Sequence, residues 1–274
     1  QAHRIDLMAD EPRVVSAERI RDELVKVVMS DMPARGFEML REAGLLIRII
    51  PELAQMVGVT QNEWHAHDVW THTMLAMSVL ERSAPLEVRL GVLFHDVGKP
   101  ATRTEDERGI HFYDHQRVGA EMTRAVLTRL RLPSDLVHSV EELVRLHMRL
   151  GEVSPDWSAS AVRRLIRSVG THLDHLYDLA RADIAAMQGR GQPTDLESVM
   201  ARIREENACL NAAAVQSPLT GSEIMDVLNI RPGPKVGAAK EHLINEILEG
   251  RLRPEDTHGA RDVLRRWAKE TDEN

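Results

Sequence analysis

The sequence predicts an all-α fold, and three observations carry that expectation. Aromatic residues make up only 3% of the 274 residues, while Leu, Ala, Val, Ile, Met, Glu and Arg dominate, a mixture that favours helices over strands. Apolar residues recur at helical spacing in segment after segment, as in Ile20, Leu24, Val27 and Val28. Gly and Pro stand between the segments, where they stop helices. A hydrophobic content of 43% supplies a real core for one large or two modest domains.

Residues 1–15 mix charge and Pro12 without a clear period. Ser16 suits the N-cap of a helix over Ala17–Met29, because its hydroxyl can accept from a free amide of the first turn. Pro33–Ala43 reads as the next helix, stopped by Gly44. Leu45–Ile50 is a short apolar run before Pro51, which suits either a strand or a buried helical turn. Asp68–Arg82 is amphipathic, and Leu86–His95 runs into the Gly98-Lys99-Pro100 break. The polar stretch 101–113, with Gly109, reads as a loop or a short hairpin. Five helices follow at His115–Leu130, Ser134–Met148, Ser160–Val169, Leu173–Met187 and Asp195–Ala213, punctuated by Pro133, Gly151, Pro155, Gly170 and the run Gly189 to Pro193. Composition shifts at Ser217–Gly221, where Thr220 and Glu223 have capping-box spacing. Arg231-Pro232-Gly233-Pro234 breaks that helix, and Lys235–Leu248 and Gly259–Lys269 complete the chain. Three segments result: 1–60, a helical body over 61–215, and a C-terminal helical tail over 216–274.

Charge and cysteine content narrow the function classes. Forty-three acidic against 35 basic residues give a net charge of −8, which argues against nucleic-acid binding by bulk charge but leaves room for a local basic patch. The lone Cys209 has no partner for an internal disulfide, and no Cys cluster suggests structural zinc, so a cytoplasmic setting is expected. No apolar run approaches the ~20 residues of a membrane span. Neither a Gly-rich phosphate loop nor a Gly-x-Ser-x-Gly elbow is present.

The chemistry gathers around Leu93-Phe94-His95-Asp96-Val97-Gly98-Lys99-Pro100, where an imidazole and a carboxylate close an apolar run. A His-Asp pair alone means little among thirteen histidines, and a second stands at His67-Asp68. Context distinguishes His95-Asp96. His72 shares a helical face with Leu75, Ala76 and Val79, and Asp183 shares one with Leu179, Ala180 and Met187. A buried carboxylate needs a cation or good hydrogen bonds. A single such residue is usually a satisfied core polar group, but His72, His95, Asp96 and Asp183 together are explained by mutual coordination. Such a mixed nitrogen and oxygen set suits Mn, Ni, Co, Fe, Zn or Mg. His115 and His147, each at a predicted helix end, are candidates for a second ion bridged by Asp96; the alternative is a histidine placed against the helix dipole. One or two ions per chain are thus expected. Lys99 and Arg103 follow closely enough to face a bound phosphate, against the plain reading of solvated cations. Arg163, Arg164 and Arg167 form a basic cluster on one helix, either a solvated face or a phosphate contact, with Arg164 the candidate for substrate. His65, His67 and His111 lie in polar stretches, as bystanders or substrate contacts.

The constellation resembles the HD superfamily of metal-dependent phosphohydrolases, which implies an HD-type helical bundle for 61–215. The resemblance is wider than that. Val15–Leu24 and Gly44–Leu53 look like the neck of bacterial class II tRNA nucleotidyltransferases, the CCA-adding enzymes and their relatives. Asp68–Thr73, Leu93–Pro100 and Asp114–Glu121 resemble the HD region found in many of them. Ser217–Gly221 and Arg231–Gly237 resemble their helical body and tail. By resemblance His72, His95, Asp96 and Asp183 inherit the metal-ligand role, with His115 and His147 added. The family's catalytic head lies before this neck, and nothing of that kind precedes Ser16, so the chain as given is expected not to add CCA.

The activity expected is hydrolysis of phosphate esters of nucleotides or RNA ends, with the 2′,3′-cyclic phosphates and 2′-nucleotides associated with these HD regions foremost. Asp96 and Lys99 would carry the chemistry, with Lys99, Arg103 and Arg164 on the substrate. One alternative is a non-catalytic tRNA-binding body using Arg251, Arg253, Arg261, Arg265, Arg266 and Lys269. Another is a (deoxy)nucleotide hydrolase of the same superfamily.

Overall fold

A computed structural model of the protein describes residues 15–61, 66–154, 156–187, 195–212 and 216–272, without the side chains of 208–212 and 270–272. His65, the Gly189 to Pro193 run and the Cys209 side chain lie outside the described residues. Among the described residues the fold is all-α apart from one two-stranded sheet. The helices are α1 (Ala17–Val28), α2 (Pro33–Glu42), α3 (Leu46–Ile49), α4 (Pro51–Ala54), α5 (Val69–Val79), α6 (Leu86–Phe94) and α7 (Lys99–Thr102). After the hairpin come α8 (His115–Arg129), α9 (Ser134–Leu146), α10 (Ala159–Val169), α11 (Leu173–Ala186), α12 (Leu196–Ala212), α13 (Gly221–Leu228), α14 (Pro234–Leu248) and α15 (Thr257–Asp272).

Side-chain caps explain four of the helix starts. Ser16, Asp68 and Ser158 each accept a backbone amide in the first turn of α1, α5 and α10. Both halves of the Thr220–Glu223 capping box form at the start of α13. The ambiguous run Leu45–Ile50 resolves as α3, a single helical turn ahead of Pro51, which takes the first position of α4. The polar stretch after α7 is an antiparallel hairpin, β1 (Arg103–Asp106) with β2 (Gly109–Phe112), turning at Gly109 with φ 108°.

The chain forms two compact units. The first comprises residues 1–152 and 171–196. In it α5, α6, α8, α9 and α11 pack together, with α1 to α4 alongside. The middle of this bundle is filled with apolar side chains: α6 buries Val88, Leu90, Val92, Leu93 and Phe94, and α9 buries Val140, Leu143 and Val144. α5 is buried nearly all round, as expected of a central helix.

One charge sits inside that apolar helix α6. Arg89 is buried, and its guanidinium donates to the carbonyls of Ala84, Val28, Ser30, Glu81 and Arg82 at 2.9–3.3 Å. Its rigid fork of donors matches the carbonyls ending α1 and lining the turn before α6. Trp70 Nε1 donating to Glu38 at 2.6 Å and the forked Arg129–Glu52 pair at 2.8 Å join α2 and α4 to the same bundle.

The second unit comprises residues 153–170 and 197–274. Its core is built from Leu219, Ile224, Ala239, Leu243, Ile247, Leu252, Ala260, Val263 and Leu264 of the last three helices and their joints. No helix among the described residues is long and apolar enough to cross a membrane.

Candidate metal centre

Five elements of the first unit deliver the site residues. His72 lies inside α5, and Asp183 lies on α11, which packs on α5 and α6. His95 caps the C-terminus of α6, with Asp96 next to it. His115 opens α8 and His147 caps the C-terminus of α9. Asp114, in a left-handed conformation with φ 59°, turns the chain from β2 into α8. Aspartate tolerates that region better than most residues.

The same device aims three of the histidines. His95 Nδ1 donates to the carbonyl of Val92 at 2.8 Å, His115 Nδ1 to Phe112 at 2.9 Å and His147 Nδ1 to Val144 at 2.7 Å. A carbonyl can only accept, so Nδ1 carries the proton in each ring and the Nε2 atoms point inward. Such outer hydrogen bonds fix the tautomer and orientation of imidazoles that bind metals.

Two clusters result: the ligand atoms of His72, His95 and Asp183 lie within 4.8 Å of one another, and so do those of Asp96, His115 and His147. His72 Nε2 and Asp183 Oδ1 are 2.8 Å apart. Asp96 stands between the clusters, with Oδ2 3.2 Å from His95 Nε2 and Oδ1 3.6 Å from His115 Nε2. All but Asp183 are buried, and Asp183 keeps 21% of its side chain open.

Three features of this arrangement fit a cation. His95 Nε2 and Asp96 Oδ2 are buried without an aligned hydrogen bond, although they are near one another and Lys99 Nζ is 2.8 Å from Asp96 Oδ2. His115 Nε2 and His147 Nε2 face each other at 3.2 Å. Burial, above all, lowers the pKa of both rings, His147 to about 3, so both are neutral near pH 7. With their protons on Nδ1, the two Nε2 atoms present lone pairs to each other, an arrangement a shared positive ion relieves. The first cluster is held differently. Burial opposes charge on His95, but Asp96 and Asp183 overcome it and raise that ring to about 10. Burial likewise opposes charge on Asp96 and Asp183, yet His95 and Lys99 beside Asp96, and His72 and His95 beside Asp183, hold both well below the usual carboxylate range. A proton on His95 thus does the work that a cation would do there.

The structure brings together all six metal-ligand candidates, and Lys99 with them. The Lys99 ammonium is buried between Asp96 and Gln61 Oε1, 2.6 Å away, and lies 5.5 Å above the centre of the Phe112 ring. It is not the solvated lysine of the plain reading. Arg103 pairs with Glu105 at 2.8 Å and reaches Thr60 at 3.5 Å. Arg164 belongs to the second unit, where it pairs with Glu249 at 3.1 Å. Its neighbours Arg163 and Arg167 pair with Glu206 and Glu241. Of the tail cations, Arg251 pairs with Glu246 and Glu249, Arg261 with Glu223 and Arg265 with Asp262. His111 is stacked on Tyr113 and bound to Asp106 at 3.0 Å. Sequence reasoning did not single out Gln61, whose bond to Lys99 spans 38 residues and leaves no local signal.

A helical bundle with a His-Asp pair closing a buried helix between two such clusters defines an HD-domain protein. Residues 65–200 match the family described as HD domain, and residues 2–56 match the family described as the probable RNA and SrmB-binding site of polymerase A. The chain is 38% identical over 268 residues to the CC-adding tRNA nucleotidyltransferase of Thermus thermophilus, covering 95% of this chain and 59% of that protein. It is 35% identical over 280 residues to the A-adding tRNA nucleotidyltransferase of Deinococcus radiodurans, covering 97% and 62% respectively. A multifunctional CCA protein of Verminephrobacter eiseniae is 36% identical over 153 residues, 55% of this chain and 36% of that one. Along 95–97% of its length the chain is similar to these tRNA nucleotidyltransferases, and its middle carries the HD-domain match. It spans about three-fifths of the length of the first two relatives.

Proposed function

We propose that the chain is a metal-dependent HD phosphohydrolase acting on nucleotides or RNA ends that carry a 2′ or 2′,3′-cyclic phosphate. The observation that carries this reading is the pair of opposed Nε2 atoms of His115 and His147 at 3.2 Å, buried beside Asp96. A site used only to grip RNA has no need of such an arrangement. His72, His95 and Asp183 would hold one divalent ion and Asp96, His115 and His147 the other, with Asp96 standing between the two groups. Bound there, the ions would lower the pKa of coordinated water and polarise a phosphate oxygen.

The chain's own residues supply the rest. Lys99 holds a buried positive charge next to Asp96, suited to offset charge on a phosphate in the transition state. Gln61 keeps the ammonium in place by accepting a hydrogen bond from it. Arg103, on the neighbouring hairpin, is a second phosphate contact once it leaves Glu105. The ion pair of Arg164 with Glu249 gives no support to a role at the phosphate. The match of residues 2–56 to an RNA-binding family, and the tRNA-acting names of the relatives, support a tRNA or RNA 3′ end as the carrier of the phosphate.

The test is a screen of metal-free protein against Mn, Ni, Co, Fe, Zn and Mg with 2′,3′-cyclic nucleotides, 2′-nucleotides, simple phosphate esters and nucleoside triphosphates. Hydrolysis of a 2′ or cyclic phosphate that chelation abolishes, and that Asp96→Ala loses, is expected. Turnover of triphosphates alone would favour the nucleotide-hydrolase alternative. Tight tRNA binding without hydrolysis under any metal would favour the non-catalytic body.

A further inference from the structure

We propose that Gly98 is a positioning residue for the second ion: its missing side chain lets α8 approach the His-Asp turn closely enough to bring His115 to Asp96. The inference rests on the reading that Asp96, His115 and His147 hold an ion. Gly98 has φ −79° and ψ −16°, a conformation open to any residue, so the backbone does not require glycine. Space does. A Cβ at Gly98 would stand 2.2 Å from the carbonyl oxygen of His115, 2.7 Å from the nitrogen of Gly119 and 3.1 Å from its Cα. All three are backbone atoms of α8, which cannot rotate out of the way.

The size of this overlap exceeds what the site can absorb. An ordinary carbon–oxygen contact begins at about 3.3 Å, so the 2.2 Å approach must open by roughly 1 Å. A metal or catalytic constellation tolerates displacements of about 0.5 Å. The displaced atom is the carbonyl of His115 itself, whose ring reaches Asp96 Oδ1 at 3.6 Å and His147 Nε2 at 3.2 Å. The first cluster takes no residue from α8, since His72, His95 and Asp183 come from α5, the end of α6, and α11. An added methyl group at Gly98 therefore separates the two clusters functionally. Gly119, on the other side of the contact, is more forgiving. Its Cβ would meet Gly98 N at 3.2 Å, and the methyl groups of Val144 and Val97 at 3.4 and 3.5 Å, which calls for shifts of only a few tenths of an ångström.

The experiment loads the metal-free full chain with Mn, counts ions per folded protein by elemental analysis, and records the electron paramagnetic resonance spectrum, where two neighbouring Mn ions couple. Wild type should hold two coupled ions. Gly98→Ala should hold one uncoupled ion, with a second-ion affinity at least a hundredfold weaker. Gly119→Ala should keep both, with the second weakened by about three- to tenfold. A purely structural role would lower the melting temperature of Gly98→Ala yet leave two coupled ions in the folded fraction, and that result overturns the inference. If Gly98→Ala does not fold, Gly119→Ala decides, and a second ion as tight as in wild type overturns the inference. A single ion in the wild type overturns the two-ion reading and this inference with it, whereas two ions in wild type and Gly98→Ala alike overturn this inference alone.

Discussion

Binding an ion at the first cluster should expel one proton from His95, and the magnitude follows from its surroundings. In the metal-free protein Asp96 and Asp183 hold this ring protonated to about pH 10, against the effect of burial. A ligand must be neutral to donate its Nε2 lone pair. At pH 7 only roughly one molecule in a thousand has His95 neutral, so protonation opposes metal binding by about 4 kcal/mol. Apparent affinity at this cluster should therefore rise close to tenfold per pH unit between pH 7 and 9, and level off near pH 10. The second cluster should behave differently, because His115 and His147 are already neutral there. The sign for stability runs with the same shift. A raised pKa stabilises the metal-free fold fully below the unfolded histidine value of about 6.5, and that contribution is lost as pH rises through about 10. Calorimetric titration with Mn at pH 8, repeated in buffers of different ionisation enthalpy, reads the proton count directly. One proton released at one site and none at the other is expected. No net release at either, together with a flat pH profile, would refute the assignment of a charged His95.

Other perturbations have defined outcomes. Arg89→Met should destabilise the first unit by about 3–5 kcal/mol in urea unfolding, because it leaves several buried or half-buried carbonyls without donors. A loss under 1 kcal/mol would show that water replaces the guanidinium. His147→Ala should remove the ion at the second cluster and Asp183→Ala the ion at the first, each variant retaining one by elemental analysis while the helical circular dichroism is kept. Lys99→Met should leave the ion count unchanged and lower kcat for a cyclic phosphate by about a hundredfold or more, as loss of a single charge-stabilising group does. Thr220→Ala should cost the tail about 1 kcal/mol by removing one half of its capping box, read as a lower melting temperature of the second unit.

Much of this was legible in the sequence where the signal is local. Ser16, Thr220 and Glu223 mark helix starts by chemistry confined to four residues, and those helices begin there. His72 and Asp183 stand out as polar residues on apolar faces, a pattern that needs only helical periodicity. The run Leu45–Ile50 is ambiguous because a four-residue helix makes barely one turn, too little for a periodic pattern to repeat. Partnerships across the chain were the illegible part. Nothing near Arg164 shows that Glu249, 85 residues on, is its partner. Nothing near Arg89 shows that carbonyls of residues 28 and 30 surround it. The inward aim of His95, His115 and His147 depends on backbone carbonyls three residues back, which sequence patterns do not display.

The Arg89 clamp has a consequence for how the protein meets acid. Among the described residues every partner of its guanidinium is a peptide carbonyl, and no carboxylate takes part in holding it. The Arg129–Glu52 link of the same bundle ends on a carboxylate, which loses its charge as pH falls. Acidification should therefore undo the fastening of α4 first and leave the end of α1 bound to α6. Amide exchange at pH 3 would show this as protection that persists at the C-terminus of α1 after it has gone from α4; simultaneous loss at both would mean that the apolar core, rather than this knot of carbonyls, sets the order in which the bundle opens.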